Sequence, residues 1–493
     1  MDLRVRTLGP KDPPDDTRFV LYAMTAARRT RWNHALQHAI AEAKRLDLPL
    51  IVLESLAIDH RWASDRIHSF VLQGMVDNRT ACMYADVTYV PFVETKIGQG
   101  RGLMRQLSKH AALIVVDDFP TYLPSIVVRR LGEISVCPVH AVDSNGVLPM
   151  RTFDRPMRTA HAFRRALQSH VVNHITQPPD PNPLTAAEGL PKLDPSLLDE
   201  VFSATVLTPW EWLWRVAEGM EVGRHALAQL DIDHEVPPVE GIRGGSHAAS
   251  NILRRFIDQR LERYAEDRNQ PSLDASSGLS PWLHFGHISS AEVVHAVLQA
   301  EGWDPTSITG PNDGRRSGWW GCSESAEGFL DQIITWRELG FNVAVNDPLH
   351  HRYESIPDWA RTSLEAHAGD KRDGYTFEEL EEARTEDEIW NAAQRQLRTD
   401  GIIQNYLRML WGKKILQWAP DPKTAADWMV ALNDRWALDG RDPNSYTGIY
   451  WVLGRHDRAW GPERPIFGKV RYMTSENTRR KYRIGPYLDR YGD

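Results

Sequence analysis

The sequence predicts an α/β N-terminal domain with a Rossmann-like parallel sheet, followed by an all-α C-terminal domain. Short apolar runs alternate with amphipathic stretches through the first 143 residues, which is typical of strands covered by helices on both faces. From residue 249 onward, apolar residues recur with the 3.6-residue period of helices. A chain of 493 residues is also longer than one hydrophobic core accommodates, so at least two domains are expected.

The predicted strands of the first domain are short, apolar and separated by helical stretches. They lie at residues 18–24, 49–55, 86–94, 112–118 and 137–143. Helices are predicted at residues 32–46, 65–85 and 122–132. No G-x-G-x-x-G motif follows any of these strands, so a dinucleotide site of the Rossmann type is not predicted.

Proline and polar residues mark the boundary between the predicted domains. Residues 176–196 are rich in proline, which cannot continue a helix, and they contain few apolar residues to bury. A second polar, glycine-rich stretch covers residues 239–248. We therefore expect domains at residues 1–175 and 249–493, joined by a connecting segment at 176–248. Within the second domain, residues 302–325 are glycine-rich and predict a long loop.

Charge and cysteine content exclude several classes of protein. The formal net charge is −8, so any binding of nucleic acid requires a local basic surface. Cys82, Cys137 and Cys322 are far apart and odd in number, which argues against disulfides and cysteine-based metal sites, and no metal is predicted. The sequence has no apolar run that could span a membrane and no signal-peptide core, so a cytoplasmic location is expected.

A segment of small residues, SSGLSPWLHFGHIS, covers residues 276–289. Small residues let the backbone approach a ligand closely, and backbone amides at a helix start favour anions. Ser280 followed by Pro281 also predicts an ordinary helix start, with serine as the N-cap and proline at the first helical position. Taken alone, the segment fits an ordinary helix start better than a binding site.

Two stretches nearer the C-terminus are more specific. They are IWNAAQ…YLRMLWGKKILQW, within residues 389–418, and LNDRWALDGRDPNSYTGIYWVLGRHDRAWGPERPIFGKVRYM, at residues 432–473. The DGRDPN cluster alone would also suit a solvated turn. Together with residues 276–289 and with Tyr264 in ERYAEDRN, however, these stretches resemble the photolyase/cryptochrome family, and most of all class II DNA photolyases. The resemblance covers essentially the whole helical half and, more weakly, the N-terminal half.

The resemblance implies FAD bound within the helical domain and a light-driven reaction. In photolyases the reduced flavin absorbs blue light and passes an electron to a pyrimidine dimer flipped out of DNA; the cyclobutane ring opens and the electron returns. The residues that match flavin-contacting positions are Tyr264, Ser276, Ser277, Gly278, Leu279, Ser280, Arg408, Asn433, Asp439, Gly440 and Arg441.

Asn433 falls where class II photolyases face flavin N5. An amide suits that position because it can accept or donate a hydrogen bond as the protonation of N5 changes. Arg408 and Asp439 would form an ion pair beside the flavin ring, or a plain structural pair.

Three tryptophans match the residues that relay an electron to excited flavin in class II photolyases: Trp390, Trp411 and Trp418. Trp411 and Trp418 are seven residues apart and therefore share a helix face. Tryptophans at helical spacing usually belong to a hydrophobic core. Because all three positions match the relay of class II photolyases, however, we interpret these tryptophans as an electron relay.

Trp336, Trp451 and Met409 match residues that line the lesion pocket. Stacking of a base on an aromatic side chain contributes about 1–3 kcal/mol, which nearly offsets the few kcal/mol needed to flip it out of the helix. The residues predicted to bind DNA phosphates are Arg455, Arg458, Lys469 and Arg471, with a solvated basic face as the alternative. Damaged DNA is the expected partner, and a monomer is the expected state.

Two segments depart from the family pattern. Gln332 stands where class II photolyases usually have a glutamate bonded to the lesion, and an amide can donate a hydrogen bond but not a proton. Asp331 is not expected to replace it, because adjacent helical positions do not share a face. In AARRTRWN, at residues 26–33, Arg28 and Trp32 replace other residue types, which leaves open the binding of an antenna chromophore such as a deazaflavin.

The sequence thus leaves two functions from different classes. The first is light-driven, FAD-dependent repair of cyclobutane pyrimidine dimers, the reaction of a deoxyribodipyrimidine photo-lyase. The alternative is a cryptochrome-type blue-light photoreceptor with weak or no repair, which Gln332 favours. Trp336, Trp451 and the basic surface favour repair, and fold by itself does not decide between the two. The same residues disfavour a flavoprotein that transfers electrons without binding DNA.

Overall fold

The computed structural model describes residues 3–202, 210–217 and 226–492, which divide into two compact units. The first, here called the sheet unit, contains the described residues up to Thr152, together with Asn173–Arg254 and Leu279–Ala296. The second, the helical unit, contains Phe153–Val172, Arg255–Gly278 and the residues from Val297 onward. Residues 203–209 and 218–225 of the predicted connecting segment lie outside the described residues.

The sheet unit is built on a six-stranded sheet. Its strands are β1 (Val5–Leu8), β2 (Phe19–Met24), β3 (Leu50–Leu56), β4 (Thr88–Val93), β5 (Ala111–Asp117) and β6 (Val139–Val142). They lie in the order β1-β6-β5-β2-β3-β4, and every neighbouring pair is parallel except β1 with β6. The helices along this part of the chain are α1 (His34–Leu46), α2 (Asp65–Cys82), α3 (Leu103–Leu107) and α4 (Tyr122–Ile134).

The central strands are buried on both faces, which explains their continuous apolar runs. Successive side chains of β2 enter two different cores: Phe19 and Leu21 pack on one face, and Val20 and Tyr22 on the other. The five strands predicted from the sequence are confirmed. Strand β1 was not predicted, because its four residues lie at a sheet edge and are not fully buried, so they carry no long apolar run.

The remaining helices begin after the sheet. They are α5 (Ala160–Gln168), α6 (Val171–Ile175), α7 (Pro195–Phe202), α8 (Trp210–Ala217), α9 (Ser246–Gln259), α10 (Tyr264–Asp267), α11 (Ser280–His284), α12 (Ser290–Ala300), α13 (Glu324–Leu330), α14 (Arg337–Asn346), α15 (Asp358–Ala366), α16 (Phe377–Glu381), α17 (Glu388–Asp400), α18 (Asn405–Trp418), α19 (Pro422–Trp436), α20 (Pro443–Val452), α21 (Ser475–Lys481) and α22 (Gly485–Tyr491). Between α12 and α13 the chain contains only a 3₁₀ turn, Pro305–Ser307, so the predicted loop at 302–325 is confirmed.

Two glycines set how closely the helices of the helical unit approach one another. A Cβ at Gly340 of α14 would lie 2.8 Å from Oδ1 of Asn444 in α20. A Cβ at Gly412 of α18 would lie 2.6 Å from Val452 of α20 and 3.0 Å from Met429 of α19. The four helices that carry most of the candidate site therefore pack with their backbones close together, which fixes the positions of the side chains between them.

The chain passes between the two units more than once. Residues 279–296 belong to the sheet unit, and Gly286 lets this segment approach closely within it: a Cβ there would lie 1.8 Å from the backbone oxygen of Ala26. Arg29 donates to the Gly286 carbonyl over 3.0 Å. The proline-rich stretch at 176–196 packs on the sheet unit through Ala187 and Leu190, so it is more than a linker. Within the described residues, no helix combines the length and apolar character needed to cross a membrane.

Candidate functional site

Arg408, Asn433 and Asp439 form a polar cluster in the helical unit. Arg408 projects from α18, Asn433 from α19, and Asp439 from the turn that follows α19. Nη1 of Arg408 donates to Oδ1 of Asn433 over 3.1 Å, and Nη2 lies 3.2 Å from Oδ1 of Asp439. The predicted ion pair between Arg408 and Asp439 is therefore present, and both side chains are mostly buried.

The turn after α19 holds this cluster in place. Helix α19 begins with Asp421 as a side-chain N-cap, and its carboxyl end is closed by Arg441, whose Nη2 donates to the carbonyls of Ala437 and Leu438. Arg441 is 2% exposed and has a positive φ of 63°. Its guanidinium is thus committed to the backbone of its own turn. Sequence reasoning predicted a flavin contact here and missed this capping role, which depends on the fold of the turn.

Gly440 is needed because the same turn folds back on α19. A Cβ at this position would lie 2.9 Å from the carbonyl oxygen of Asn433 and 3.1 Å from Cα of Asp434, both of them backbone atoms. Any larger residue would push the turn away from the helix. Gly440 therefore supports the position of Asn433 and Asp439 through the backbone, without a side chain of its own.

A pair of stacked tryptophans forms a second feature of the helical unit. The rings of Trp336 and Trp451 lie 4.5 Å apart between centroids, with 15° between their planes, and both side chains are half-buried. Trp336 ends a π-helical turn, Asp331–Trp336, inserted between α13 and α14. Such turns are rare in proteins as a whole, and those that occur often lie at functional sites. Gln332 lies on this turn and is half-buried, and Met409 of α18 is half-buried as well.

Asp331, the neighbour of Gln332, is held in an ion pair with Arg164. Nε of Arg164 donates to Oδ1 of Asp331 over 2.8 Å, and Nη2 donates to Oδ2 over 3.1 Å. Arg316 lies 3.7 Å from the same carboxylate. This buried, bidentate pair anchors the π-helical turn to α5 and leaves Gln332 as the polar side chain of the turn that remains partly exposed.

The three tryptophans matched to the electron relay are all buried in the helical unit. Trp390, on α17, contacts Trp418, on α18, with ring centroids 5.3 Å apart. Nε1 of Trp390 donates to the carbonyl of Trp411 over 3.0 Å, and Nε1 of Trp411 donates to Gln394. Trp418 also contacts Tyr375, which is half-buried, over 5.1 Å. The structure thus brings the rings of Trp390 and Trp418 together, and Trp411 adjoins Trp390 through its backbone carbonyl.

The residues predicted to hold the flavin phosphates fall into two groups. Tyr264 is buried between Phe256 and Phe329, and burial raises the pKa of its phenol. Ser276 is exposed, and Gly278 has a φ of 70° with open space where a Cβ would stand. Leu279 and Ser280 belong to the sheet unit. Leu279, and not Ser280, is the N-cap residue, since α11 begins at Ser280 with Pro281 after it.

The predicted basic surface needs one correction. Arg455 is 4% exposed and donates to the carbonyl of His350 and the hydroxyl of Ser355, so it is a structural cation in the interior and not a surface contact for phosphate. Arg458, Lys469 and Arg471 are exposed.

Trp460 was missed by sequence reasoning and accompanies these exposed cations. Its ring is 38% exposed and lies 4.9 Å from the guanidinium of Arg458 and 5.4 Å from that of Arg471. A tryptophan inside the run HDRAWGPER was the signal, because an aromatic residue among cations is typical of nucleic-acid surfaces. The exposed part of the basic surface therefore consists of Arg458, Lys469 and Arg471, with Trp460 between two of them.

Lys413 carries a buried amine that sequence reasoning did not single out. It lies on α18 and donates to the carbonyl of Val452 on α20. Burial lowers the pKa of the Lys413 amine to about 7.

In the sheet unit, the two unusual residues of AARRTRWN have structural partners. Arg28 is buried and lies 3.0 Å from Glu54, which also accepts hydrogen bonds from Asn78 and Tyr89. Trp32 contacts the ring of His295 over 5.2 Å. Both residues that depart from the family pattern therefore have partners within the sheet unit.

Comparison with solved structures defines the class of fold. The crystal structure of a bacterial class III photolyase from Agrobacterium tumefaciens matches with a TM-score of 0.66, 19% sequence identity, and coverage of 96% of this chain and 86% of the other. The α/β sheet unit followed by many helices is therefore the photolyase fold. No family model matches the chain.

Comparison with curated proteins identifies the family. The chain is 33% identical to the deoxyribodipyrimidine photo-lyase of Methanothermobacter thermautotrophicus over 99% of this chain and 97% of that protein. It is 30% identical to the rice enzyme of the same name over 95% of this chain, and 29% identical to that of Potorous tridactylus over 96%. The chain belongs to the family of deoxyribodipyrimidine photo-lyases, a family of DNA-repair enzymes.

Proposed function

We propose that this protein is a class II-like deoxyribodipyrimidine photo-lyase, which uses FAD and light to split cyclobutane pyrimidine dimers in DNA into the original pyrimidines. The observation that carries the proposal is the stacked, half-exposed pair Trp336 and Trp451 in the same compact unit as the cluster of Arg408, Asn433 and Asp439. An aromatic platform suits a base taken out of the DNA stack, and a buried polar cluster suits the polar edge of a flavin ring.

The residues present fit FAD. The arginine–aspartate pair and the amide of Asn433 supply the donors and acceptors that a flavin ring requires, in a buried setting. At Gly278, the positive φ and the open space beside Cα leave room for a phosphate close to the backbone. Tyr264, Ser276, Ser277 and Gly278 would hold the phosphates, and Arg408, Asn433 and Asp439 the ring. When bound, the flavin supplies the light-driven electron that opens the dimer and takes it back afterwards.

The protein's own residues would bind and orient the lesion. A dimer laid against Trp336 and Trp451 gains about 1–3 kcal/mol for each stacked base, which offsets the cost of flipping it out. Met409 and Gln332 would border that platform, and the amide of Gln332 can donate a hydrogen bond to a pyrimidine carbonyl. Arg458, Lys469 and Arg471 would neutralise phosphates, so affinity should fall as the salt concentration rises.

Trp390, Trp411 and Trp418 would serve a separate purpose, the reduction of oxidised FAD by light. Their mutual contacts and burial support a path for an electron through the helical unit. An external reductant is needed to restore the last tryptophan of the path. This reduction precedes repair and is not part of the repair cycle.

Gln332 favours a second candidate function, a blue-light photoreceptor of the cryptochrome type that binds FAD but repairs poorly. An amide at this position holds a lesion but cannot donate a proton to it. The decisive test is the restoration of a thymine-dimer oligonucleotide by illuminated protein whose flavin is reduced beforehand. Restoration in light and none in darkness is expected. No restoration by flavin-loaded wild-type protein would favour the photoreceptor, and gain of repair in Gln332→Glu would then identify the amide as the cause.

A further inference from the structure

The side-chain amide of Asn433 is held in one orientation by neighbours of opposite hydrogen-bonding character. Its Oδ1 accepts from Nη1 of Arg408 over 3.1 Å, and its Nδ2 donates to Oδ1 of Asp434 over 3.2 Å. A guanidinium can only donate and an ionised carboxylate can only accept. Exchanging the oxygen and nitrogen of the amide would therefore oppose donor to donor and acceptor to acceptor, so the orientation follows from chemistry and not from the shape of the side chain.

Both hydrogens of the Asn433 amide are engaged by the protein. Nδ2 donates its second hydrogen to Oγ of Ser445 over 2.5 Å, and the residue is only 3% exposed. An amide nitrogen has no further hydrogen to donate, whereas a carbonyl oxygen has two acceptor positions, of which Arg408 fills one. Toward any ligand at this place, Asn433 therefore acts as a hydrogen-bond acceptor and not as a donor.

Asp434 is itself rigidly held. Oδ1 accepts from the backbone amide of Arg441 over 2.9 Å, and Oδ2 accepts from the hydroxyl of Tyr446 over 3.1 Å. Burial raises the pKa of this carboxyl, while Arg441 and the hydrogen bonds act in the opposite direction. The carboxylate thus occupies a fixed place on the side of Asn433 away from Arg408, and it does not need to contact a ligand to influence one.

We propose that Asp434, with Ser445, is a positioning residue that keeps the oxygen of Asn433 as the group offered to the flavin, so that the site favours reduced over oxidised flavin. The inference rests on the proposed function and on the family resemblance, which places Asn433 opposite flavin N5. The reduced ring carries a hydrogen at N5 and can donate it, whereas N5 of the oxidised ring is an acceptor. An acceptor fixed opposite N5 stabilises the first and opposes the second.

The test is a spectroscopic redox titration of FAD-loaded protein, which needs no DNA and no repair. In Asp434→Asn the neighbouring group can donate as well as accept, so it no longer opposes a turn of the Asn433 nitrogen toward N5, and only Arg408 still does. One hydrogen bond is worth about 1.4 kcal/mol here, so the ratio of reduced to oxidised flavin at a given potential should fall about tenfold. That is a decrease of about 30 mV in the midpoint potential of the two-electron couple. Ser445→Ala should shift the potential in the same direction, by less.

Tyr446→Phe is the matched control, because it removes a hydrogen bond from the same carboxylate on the oxygen that does not face Asn433. Its midpoint potential should equal that of the wild type. Flavin-loaded Asp434→Asn and Ser445→Ala with wild-type potentials would overturn the inference, as would an equal shift in Tyr446→Phe. If Asp434→Asn does not fold, Ser445→Ala decides the question by itself. A wild-type protein that takes up no flavin would instead overturn the proposed function.

Discussion

Trp336 and Trp451 stack directly on each other, with ring centroids 4.5 Å apart and planes 15° from parallel. This separation leaves no gap for a third ring, so the two indoles act as one platform and not as a clamp around a base. Trp336 is the last residue of a π-helical turn, and Trp451 lies near the C-terminus of α20. The platform thus depends on the packing of α14 against α20, for which Gly340 leaves the room.

Replacement of one platform residue should weaken lesion binding selectively. Trp336→Ala removes a stacking surface and is expected to cost about 1–3 kcal/mol in the affinity for a dimer-containing oligonucleotide, with little change for undamaged DNA. Trp336→Phe should retain most of the affinity. Fluorescence anisotropy with both oligonucleotides measures the difference. Tyr84→Ala, at an 86% exposed residue of the sheet unit, is the control. Equal losses on damaged and undamaged DNA would contradict the platform.

Trp411→Phe should abolish the light-driven reduction of bound FAD in the presence of a reductant. Phenylalanine fills most of the same space, and the hydrogen bond from Trp390 goes to the backbone carbonyl of residue 411, so the fold should persist. Trp436→Phe is the matched control, because Trp436 is also buried and hydrogen-bonded, to Glu381, but lies outside the relay. Bleaching of the oxidised flavin band under blue light is the measurement. Full photoreduction in Trp411→Phe would refute this relay.

Gly440→Ala should destabilise the helical unit and reduce its flavin content. The added Cβ meets backbone atoms of Asn433 and Asp434, which cannot move aside cheaply, and such overpacking costs about 1–3 kcal/mol. Gly448→Ala, in the middle of α20, is the matched control: its Cβ enters open space, so the thermal midpoint should stay equal or rise slightly. Thermal unfolding and the ratio of flavin to protein absorbance check both variants. Equal midpoints in the two variants would show that the turn can relax.

Lys413 should make folding stability depend on pH. Its pKa is lowered by burial from 10.5 to about 7, so between these pH values the unfolded chain binds more protons than the folded protein. The free energy of unfolding therefore rises with pH across this window, by up to about 1.4 kcal/mol per pH unit from this group. Lys413→Met removes this dependence of stability on pH. From pH 7 to pH 10, the thermal midpoint of the wild type should therefore rise relative to that of the variant. Parallel curves would show that Lys413 keeps its proton in the folded state.

The sequence was sufficient for the features that are local. The alternation of apolar runs predicted strands β2 to β6, and the glycines of residues 302–325 predicted a loop, because both signals arise within a few consecutive residues. The seven-residue spacing of Trp411 and Trp418 placed them on one helix. The ion pair of Arg408 with Asp439 came from the family resemblance, and the structure contains it.

The tertiary structure decided which of the side chains with suitable chemistry are accessible to a ligand. Arg455 and Arg458 are three residues apart and of the same residue type, yet one is buried against His350 and the other is exposed. Arg441 caps the carboxyl end of α19, and residues 279–296 belong to the sheet unit. Burial and hydrogen-bond partners depend on contacts between segments far apart in the chain. The periodicity of one segment therefore does not predict those contacts. The sequence by itself determined the secondary-structure elements and the chemical groups present. Packing determined where each group points and what it can bind.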